Sequence, residues 1–156
     1  MQGSAFDEGE FFLAIDRCGA RVVMIGRRAL IALGVPVLTA DYDFWLHRDD
    51  IEVFNRAAEP FDLFPNRNPE EARASGRYVL ENDEHVDVLV ARQRSTVHGE
   101  TVQFEDVWNR RLTMRCGAAD VSVPTIDDLI RTKLFAARPK DLEDIQLLES
   151  LRREEP

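Results

Sequence analysis

The sequence is poor in cysteine and histidine, with only two cysteines and three histidines among 156 residues. Cys18 and Cys116 lie far apart and form no CxxC pair, so we expect two reduced structural thiols rather than a disulfide framework. His47, His85 and His98 do not have the spacing of a zinc site. These scarcities argue against a metal centre built on thiols or imidazoles.

Long apolar runs and an excess of positive charge are absent as well. No apolar stretch approaches the length needed to cross a membrane, and the N-terminal MQGSAFDEGE lacks the apolar core of a signal peptide. Twenty basic against 29 acidic residues give a formal net charge of −9. This charge argues against a broad nucleic-acid-binding surface and against attraction to anionic membranes, although it is compatible with a small basic patch. We therefore expect a cytoplasmic protein with no membrane partner.

The length and the composition predict one soluble globular domain spanning residues 1–156. A chain of this length buries a sizeable core without disulfides or structural metals, and a content of 44% hydrophobic and 31% charged residues is typical of soluble domains. The function of the chain must then be sought in its motifs.

The stretch Val22–Leu46 predicts a strand, a tight turn, a short helix, a loop and a second strand. Four apolar residues, Val22–Ile25, precede Gly26, which suits a sharp turn. A helix predicted over Arg27–Leu33 ends at Gly34, because glycine favours a left-handed cap and the proline two residues later forbids continuation.

The second strand of this stretch, Asp41–Leu46, carries two carboxylates on one face. Side chains alternate along a strand, so Asp41 and Asp43 point to the same side and the intervening aromatic residues to the other. A helix start with Arg27 and Arg28 comes shortly before them. The arrangement predicts a phosphate cradle beside a divalent-metal site. An Asp-x-Asp pair arises easily in so acidic a chain, but its place after a strand, a glycine and a helix makes the signal stronger.

A third carboxylate is predicted on a later strand. Two strands, Tyr78–Leu80 and His85–Val90, are joined by a polar turn. In the second, valines form one face and Asp87 lies on the other. If this strand pairs beside Asp41–Leu46 with both apolar faces inward, Asp87 falls next to Asp41 and Asp43. A strand with an ordinary polar outer face is the alternative interpretation.

Other segments have simpler signals. Helices are predicted over Ala5–Cys18 with Gly19 as its cap, from Asp49 with Glu52 as in a capping box, from Thr125 with Asp128 three residues on, and from Lys140. Short strands are predicted at Thr101–Phe104, Leu112–Cys116 and Val121–Val123, a turn at Gln93–Glu100, and a mobile loop between Pro60 and Gly76. We expect Arg92 and Arg94 to be solvated, although either could reach a phosphate.

Lys133 interrupts an apolar stripe of the helix that begins near Thr125. Burying an ammonium group without a partner is costly, so either its stem reaches out to solvent or its amine meets a carboxylate or a phosphate. In the final helix, the predicted core stripe is Leu142, Ile145, Leu148 and Leu151. Asp141 continues that face and Asp144 lies on its edge.

Taken in order, these residues resemble the nucleotidyltransferase-fold proteins of the DNA polymerase β superfamily, and within it the stand-alone bacterial AbiE-type toxin nucleotidyltransferases. The resemblance covers the chain from Val22 to Leu148. The residues that match the family pattern are Gly26, Thr39, Asp41, Asp43, Asp87, Lys133, Lys140, Asp141 and Asp144. The resemblance implies an α/β (α+β) fold, with a mixed β-sheet, helices packed on it and C-terminal helices. It also implies transfer of a nucleoside monophosphate from an NTP to a hydroxyl of RNA or protein, with two Mg²⁺ ions, or Mn²⁺. A toxin–antitoxin or phage-defence role with an antitoxin partner would follow.

The resemblance also assigns the site. Metal binding and catalysis go to Asp41, Asp43 and Asp87, and nucleotide binding to Gly26, Arg27, Arg28, Thr39, Lys133 and Lys140. Lys133 would contact phosphate or lock an aspartate of the last helix in place. Two positions depart from the family pattern: Arg27 replaces a small residue that lets the triphosphate approach, and Val37 replaces an arginine. Arg27, with Arg28 beside it, would then bind the phosphates directly.

Two other functions compete with nucleotidyl transfer. The first is a degenerate, non-catalytic module that binds a nucleotide or a partner protein. Arg27, in place of the small residue that follows the glycine in the family pattern, favours this function, and the three retained carboxylates disfavour it. A Mg²⁺-dependent nuclease would use the same carboxylates, but the acidic composition and the lack of an aromatic and basic groove count against it.

Overall fold

A computed structural model describes residues 6–154 of the chain. The described part contains seven helices, namely α1 (Glu8–Cys18), α2 (Gly26–Ala32), α3 (Ile51–Ala58), α4 (Pro69–Ser75), α5 (Phe104–Arg110), α6 (Ile126–Lys133) and α7 (Pro139–Glu154). Its nine strands are β1 (Val22–Ile25), β2 (Asp41–Leu46), β3 (Phe64–Pro65), β4 (Arg77–Glu81), β5 (His85–Leu89), β6 (Gln93–Ser95), β7 (Thr101–Gln103), β8 (Leu112–Cys116) and β9 (Ala119–Val123). Within residues 6–154, no helix combines the length and the apolarity that a membrane-spanning segment requires.

A five-stranded mixed sheet forms the centre of the structure. Its strand order is β1-β2-β5-β4-β3, with β2 and β5 parallel and every other neighbouring pair antiparallel. The remaining strands form two separate two-stranded sheets, β6-β7 and β8-β9. The mixed α/β architecture predicted from the sequence is therefore confirmed, as is the pairing of β5 beside β2.

The two faces of the central sheet differ in chemistry. One face presents only apolar and aromatic side chains from its inner strands, such as Tyr42, Phe44, Val86 and Val88, and these are buried in the main core with Phe11 of α1. On the opposite face, Val23 and Trp45 pack beneath Phe104 and Val107 in a second, smaller core. The rest of that opposite face carries the carboxylates, so the second core supports the site from one side.

The structure departs from the sequence prediction at four places. The supposed loop between Pro60 and Gly76 contains β3 and α4, and α4 has a complete capping box in which Asn68 and Glu71 exchange hydrogen bonds. Residues Gln93–Ser95 form a strand, not a turn, because they pair with β7. Helix α5 follows directly after β7 and was not predicted. Leu142 is 48% exposed, since α7 turns Asp141, Asp144 and Leu148 inward instead.

The ends of the other helices follow their signals with small shifts. The predicted start at Ala5 lies outside the described residues, and α1 begins at Glu8 with the Asp7 side chain accepting from the Glu10 backbone N–H at 3.1 Å. Helix α3 begins at Ile51 and includes Glu52, whereas Asp49, the predicted cap, lies in the preceding 3₁₀ turn Arg48–Asp50. Asp50 does not cap this helix, because its carboxylate accepts hydrogen bonds from the Arg21 backbone and guanidinium. Thr125 caps α6 as predicted.

Candidate active site

A cavity of about 370 Å³ opens over the carboxylate-bearing face of the central sheet. It lies where β1, β2, β5 and β4 run side by side, and α6, α7 and the connection between them form its other wall. The predicted site residues that line it are Gly26, Arg27, Thr39, Asp41, Asp43, Asp87, Lys133 and Lys140. The fold therefore brings together eight of the nine residues that the sequence singled out.

Asp43 is the central carboxylate of this cavity. In the parallel register of β2 and β5, Asp43 lies opposite Asp87 and Asp41 lies opposite His85, so all these side chains share one face. Burial, followed by the charges of Asp87 and Asp41, raises the pKa of Asp43 from 3.8 to about 6, while Lys133 and His85 act in the opposite direction. Like charges held this close favour a bound cation or a proton.

Asp87 is partnered inside the protein. One of its oxygens lies 3.0 Å from Nε2 of His85 and the other 3.5 Å from a guanidinium nitrogen of Arg77. Among residues 6–154, no three acidic, histidine or cysteine side chains stand close enough together to hold one metal ion. The expected convergence of Asp41, Asp43 and Asp87 on a single cation is thus not found, although the three share one face and one cavity.

Gly26 makes the close approach between β1 and the carboxylates possible. Its φ of +68° lies in the left-handed region, which a glycine adopts without strain. A Cβ at this position would also meet the side chain of Asp43, with only 2.9 Å to its Cβ. Position 26 therefore requires glycine both for the turn into α2 and for the space that Asp43 occupies.

Lys133 and Arg27 share a buried aspartate of the final helix. The Lys133 side chain is 8% exposed, and its amine donates to one oxygen of Asp144 at 2.8 Å, while the Arg27 guanidinium donates to the other at 3.0 Å. Asp144 itself is fully buried. Burial acts to raise its pKa, but the hydrogen bonds from Lys133 and Arg27 outweigh burial and hold the pKa below its usual value. Of the alternatives for Lys133, the structure shows the carboxylate partner.

Arg28 is directed away from the cavity, unlike Arg27. Its guanidinium pairs with Glu8 at 2.8 Å and lies 4.3 Å above the ring of Tyr42, on the opposite face of the sheet from the carboxylates. It also donates to the backbone carbonyl of Thr39 at 3.2 Å. The structure therefore gives Arg28 a role in holding the loop before β2, and corrects the predicted role in phosphate binding.

Thr39 and Lys140 lie at the rim of the cavity. The Thr39 hydroxyl accepts the backbone N–H of Asp41 at 3.1 Å, which shapes the entry into β2. Lys140 makes no ion pair with any residue of the described part of the chain, so its amine is open to a ligand.

Three arginines of the cavity were missed or underrated by the sequence analysis. Arg77 comes from β4, and Arg138 precedes α7, where its guanidinium holds Asp141 at 3.0 Å. Arg94, expected to be solvated, lies with its guanidinium carbon 5.5 Å from the centre of the Phe135 ring. The pairing of β4 with β5 could have identified Arg77. In this register Val79 lies opposite Asp87, and Arg77, two residues from Val79, points to the same face.

Comparisons with known proteins agree with this architecture. No protein-family model matches the sequence, and neither does any curated protein sequence. The structure resembles that of the antibiotic-resistance factor ANT(2″)-Ia in solution, with a TM-score of 0.64, 14% identity, and coverage of 92% of this chain and 86% of the other. A crystal structure of ANT(2″)-Ia with adenylyl-2″-tobramycin gives a TM-score of 0.58 at 14% identity, covering 92% and 91%.

The lincosamide antibiotic adenylyltransferase LnuA, solved with lincomycin, is similar over almost its whole length. Its TM-score is 0.63 at 13% identity, with 95% of this chain and 99% of LnuA covered. These likenesses confirm the predicted nucleotidyltransferase fold. The narrower likeness to AbiE-type toxins stays a prediction.

Proposed function

We propose that this protein is a metal-dependent nucleotidyltransferase that moves a nucleoside monophosphate from an NTP to a hydroxyl acceptor. The observation that carries the proposal is the position of Asp43, which stands between two further aspartates in a cavity that also contains Gly26 and Lys133. Burial and the charges of Asp87 and Asp41 raise the pKa of Asp43 to about 6, and carboxylates with a pKa raised in this way are common at functional sites. The nucleotidyltransferase fold of the chain is consistent with this activity.

The residues present fit a divalent cation, although they form no three-ligand cage. Carboxylate oxygens are the ligands that Mg²⁺ and Mn²⁺ prefer, and Mg²⁺ is usually held by one or two carboxylates together with substrate phosphates and water. Asp41 and Asp43 would hold the ions, and Asp87 would join once the substrate draws it from His85 and Arg77. When bound, the ions would stabilise negative charge on the phosphates.

The chain's own groups would organise the transfer. Asp87 takes the proton of the acceptor hydroxyl, the acceptor oxygen forms a bond to the α-phosphorus, and the bond to the bridging oxygen breaks, releasing pyrophosphate. The triphosphate would lie beside Gly26, where the glycine keeps free the space that Asp43 occupies, and Lys140, which has no ion pair within residues 6–154, supplies an ammonium for its charge. Lys133 stands close enough to Asp43 to lower its pKa, so it also places positive charge at the reacting end.

The proposal is tested with each of the four NTPs, labelled at the α-phosphate, in the presence of Mg²⁺ or Mn²⁺. Total RNA, cell protein, tobramycin and lincomycin serve as acceptors in separate reactions. Appearance of the label on one of them, and its loss in the Asp43→Asn variant, would support transfer. Nucleotide binding without any transfer would instead support the non-catalytic module, and shortening of the RNA would support a nuclease.

RNA or protein as the acceptor, a toxin–antitoxin or phage-defence role and an antitoxin partner stay predictions. They rest on the sequence resemblance alone. The antibiotics belong in the panel because structures with this fold have been solved with lincomycin and with adenylyl-2″-tobramycin.

A further inference from the structure

The six cationic side chains that line the cavity are distributed unevenly. Two of them, Arg27 and Lys133, share the buried carboxylate of Asp144, and Arg138 is paired with Asp141. The other three are Arg77, Arg94 and Lys140. A chain with a net charge of −9 thus directs three cations that are weakly paired or unpaired within residues 6–154 into a single cavity.

One of these three cations, Arg77, lies beyond the carboxylates as seen from Gly26. The strand order places β1, which ends at Gly26, at one side of Asp43, and β4, which begins with Arg77, on the far side of Asp87. Three steps between neighbouring strands separate β1 from β4, about 14 Å at the usual spacing. Arg94 belongs to β6 and lies over the Phe135 ring, which packs against Trp45 of β2. Trp45 and Arg77 both stand opposite Leu89 in the register of the sheet, so Arg94 and Arg77 lie at the same level along the strands.

Phosphoryl chemistry sets the direction from which an acceptor arrives. Attack on the α-phosphorus occurs in line with the departing pyrophosphate, so donor and acceptor lie on opposite sides of the reacting centre. With the triphosphate at Gly26 and Lys140, the acceptor comes from the side of Asp87, where it meets Arg77, and Arg94 lines the same cavity. This step rests on the function proposed above.

We infer that the acceptor carries a phosphate group close to its reactive hydroxyl, and that Arg77 and Arg94 bind this phosphate. An arginine guanidinium binds phosphate with two parallel hydrogen bonds, and it is less strongly hydrated than the ammonium of a lysine. Arg77 is 61% exposed and holds Asp87 only at 3.5 Å, so it can turn to a ligand. Arg94 forms no ion pair within residues 6–154 and is steadied by the Phe135 ring.

The acidic residues of the cavity argue against an acceptor of the opposite charge. Asp41, Asp43 and Asp87 are assigned to metal and proton transfer. Asp141, the remaining carboxylate that lines the cavity, accepts from both the backbone and the guanidinium of Arg138. Among the described residues that line the cavity, no carboxylate is therefore free to bind a polycation.

The test measures binding of three probes by calorimetry, with Mg²⁺ and with or without saturating α,β-methylene-ATP. Cytidine lacks a phosphate, CMP supplies one on a small molecule, and a hexaribonucleotide supplies several next to a 3′-hydroxyl. We expect CMP or the hexaribonucleotide to bind at least about tenfold more tightly than cytidine. Preference for the hexaribonucleotide over CMP would identify a nucleic-acid end, and equal binding a small phosphate ester.

Matched variants locate the phosphate. Arg77→Gln and Arg94→Gln should each weaken the phosphate-bearing probe about tenfold and leave cytidine unchanged. Arg92→Gln is the control, because Arg92 is exposed, lies two residues from Arg94 and does not line this cavity. Equal affinities for cytidine and both phosphate probes, or unaltered binding in both arginine variants, would overturn the inference. Failure of the wild type to bind α,β-methylene-ATP would instead contradict the proposed function.

Discussion

Replacing Asp43 by asparagine should stabilise the metal-free protein while abolishing its activity. Asparagine is nearly isosteric with aspartate, so the substitution opens no cavity and removes only the charge. In the wild type that charge is held next to Asp41 and Asp87 on one face of the sheet. Sites built for function commonly carry such a cost in stability.

The size of the effect follows from the pKa of Asp43, which is raised from 3.8 to about 6 by burial and by its two acidic neighbours. At 1.36 kcal/mol per pKa unit, ionised Asp43 costs the folded state about 3 kcal/mol. Because the folded-state pKa lies above the unfolded one, the folded state binds this proton more tightly. The free energy of unfolding therefore falls as the pH rises from about 4 to about 6, and the full cost is present above that window.

The assay is thermal unfolding in EDTA, at several pH values between 4 and 7.5, with a parallel series in excess Mg²⁺. At pH 7.5 without metal, Asp43→Asn should melt about 6–12 °C above the wild type, and the difference should vanish near pH 4. In Mg²⁺ the variant should lose most of the gain that the wild type shows, because that gain depends on binding to the folded state. Asp83→Asn is the control, since Asp83 lies in an exposed turn and its loss removes the same charge. A variant that melts below the wild type in EDTA at pH 7.5 would refute the reasoning, by showing that fixed partners already satisfy Asp43.

Two further predictions concern Gly26 and the buried ion cluster. Gly26→Ala and Gly34→Ala both place a Cβ on a left-handed residue, with φ of +68° and +95°, so Gly34→Ala should lose about 1–2 kcal/mol in urea unfolding and Gly26→Ala more, because its Cβ also meets Asp43. Only Gly26→Ala should also abolish nucleotidyl transfer, because no atom of residues 6–154 lies within 4 Å of a Cβ at Gly34. Equal activity in both variants would contradict the close approach of Gly26 to the site. Arg27→Ser and Lys133→Met each leave Asp144 with one cation, so each should lower the free energy of unfolding by about 1–3 kcal/mol. The double variant should lose more than the sum of the two. Strict additivity in a double-mutant cycle measured by urea unfolding would argue against a shared partner. Because the pKa of Asp144 is lowered, the stability that this cluster supplies is present above the ordinary aspartate pKa and is lost as the pH falls below it.

Local rules were sufficient for much of the central unit. The bounds of β1 and β2 agree with the predicted ones, because a short apolar run ending at Gly26 and a period of two in Asp41–Leu46 are properties of the segments themselves. The same period placed Asp41 and Asp43 on one face before any partner strand was known. One such local signal was overlooked. Asn68 and Glu71 have the spacing of a capping box, which predicts the start of α4 within the segment that was interpreted as a mobile loop.

The tertiary structure alone decided which charges meet. The sequence presents Arg27 and Arg28 as equivalent neighbours, yet one donates to Asp144, 117 residues away, and the other to Glu8 on the opposite side of the sheet. The partner of Lys133 was likewise open between solvent, phosphate and carboxylate until α7 was seen to pack against α6. Hydrophobic period and capping act within a few residues, so the sequence itself determined the elements and their faces. Ion pairs between distant elements depend on how those elements pack, and the choice of partner for each buried charge therefore belongs to the folded chain.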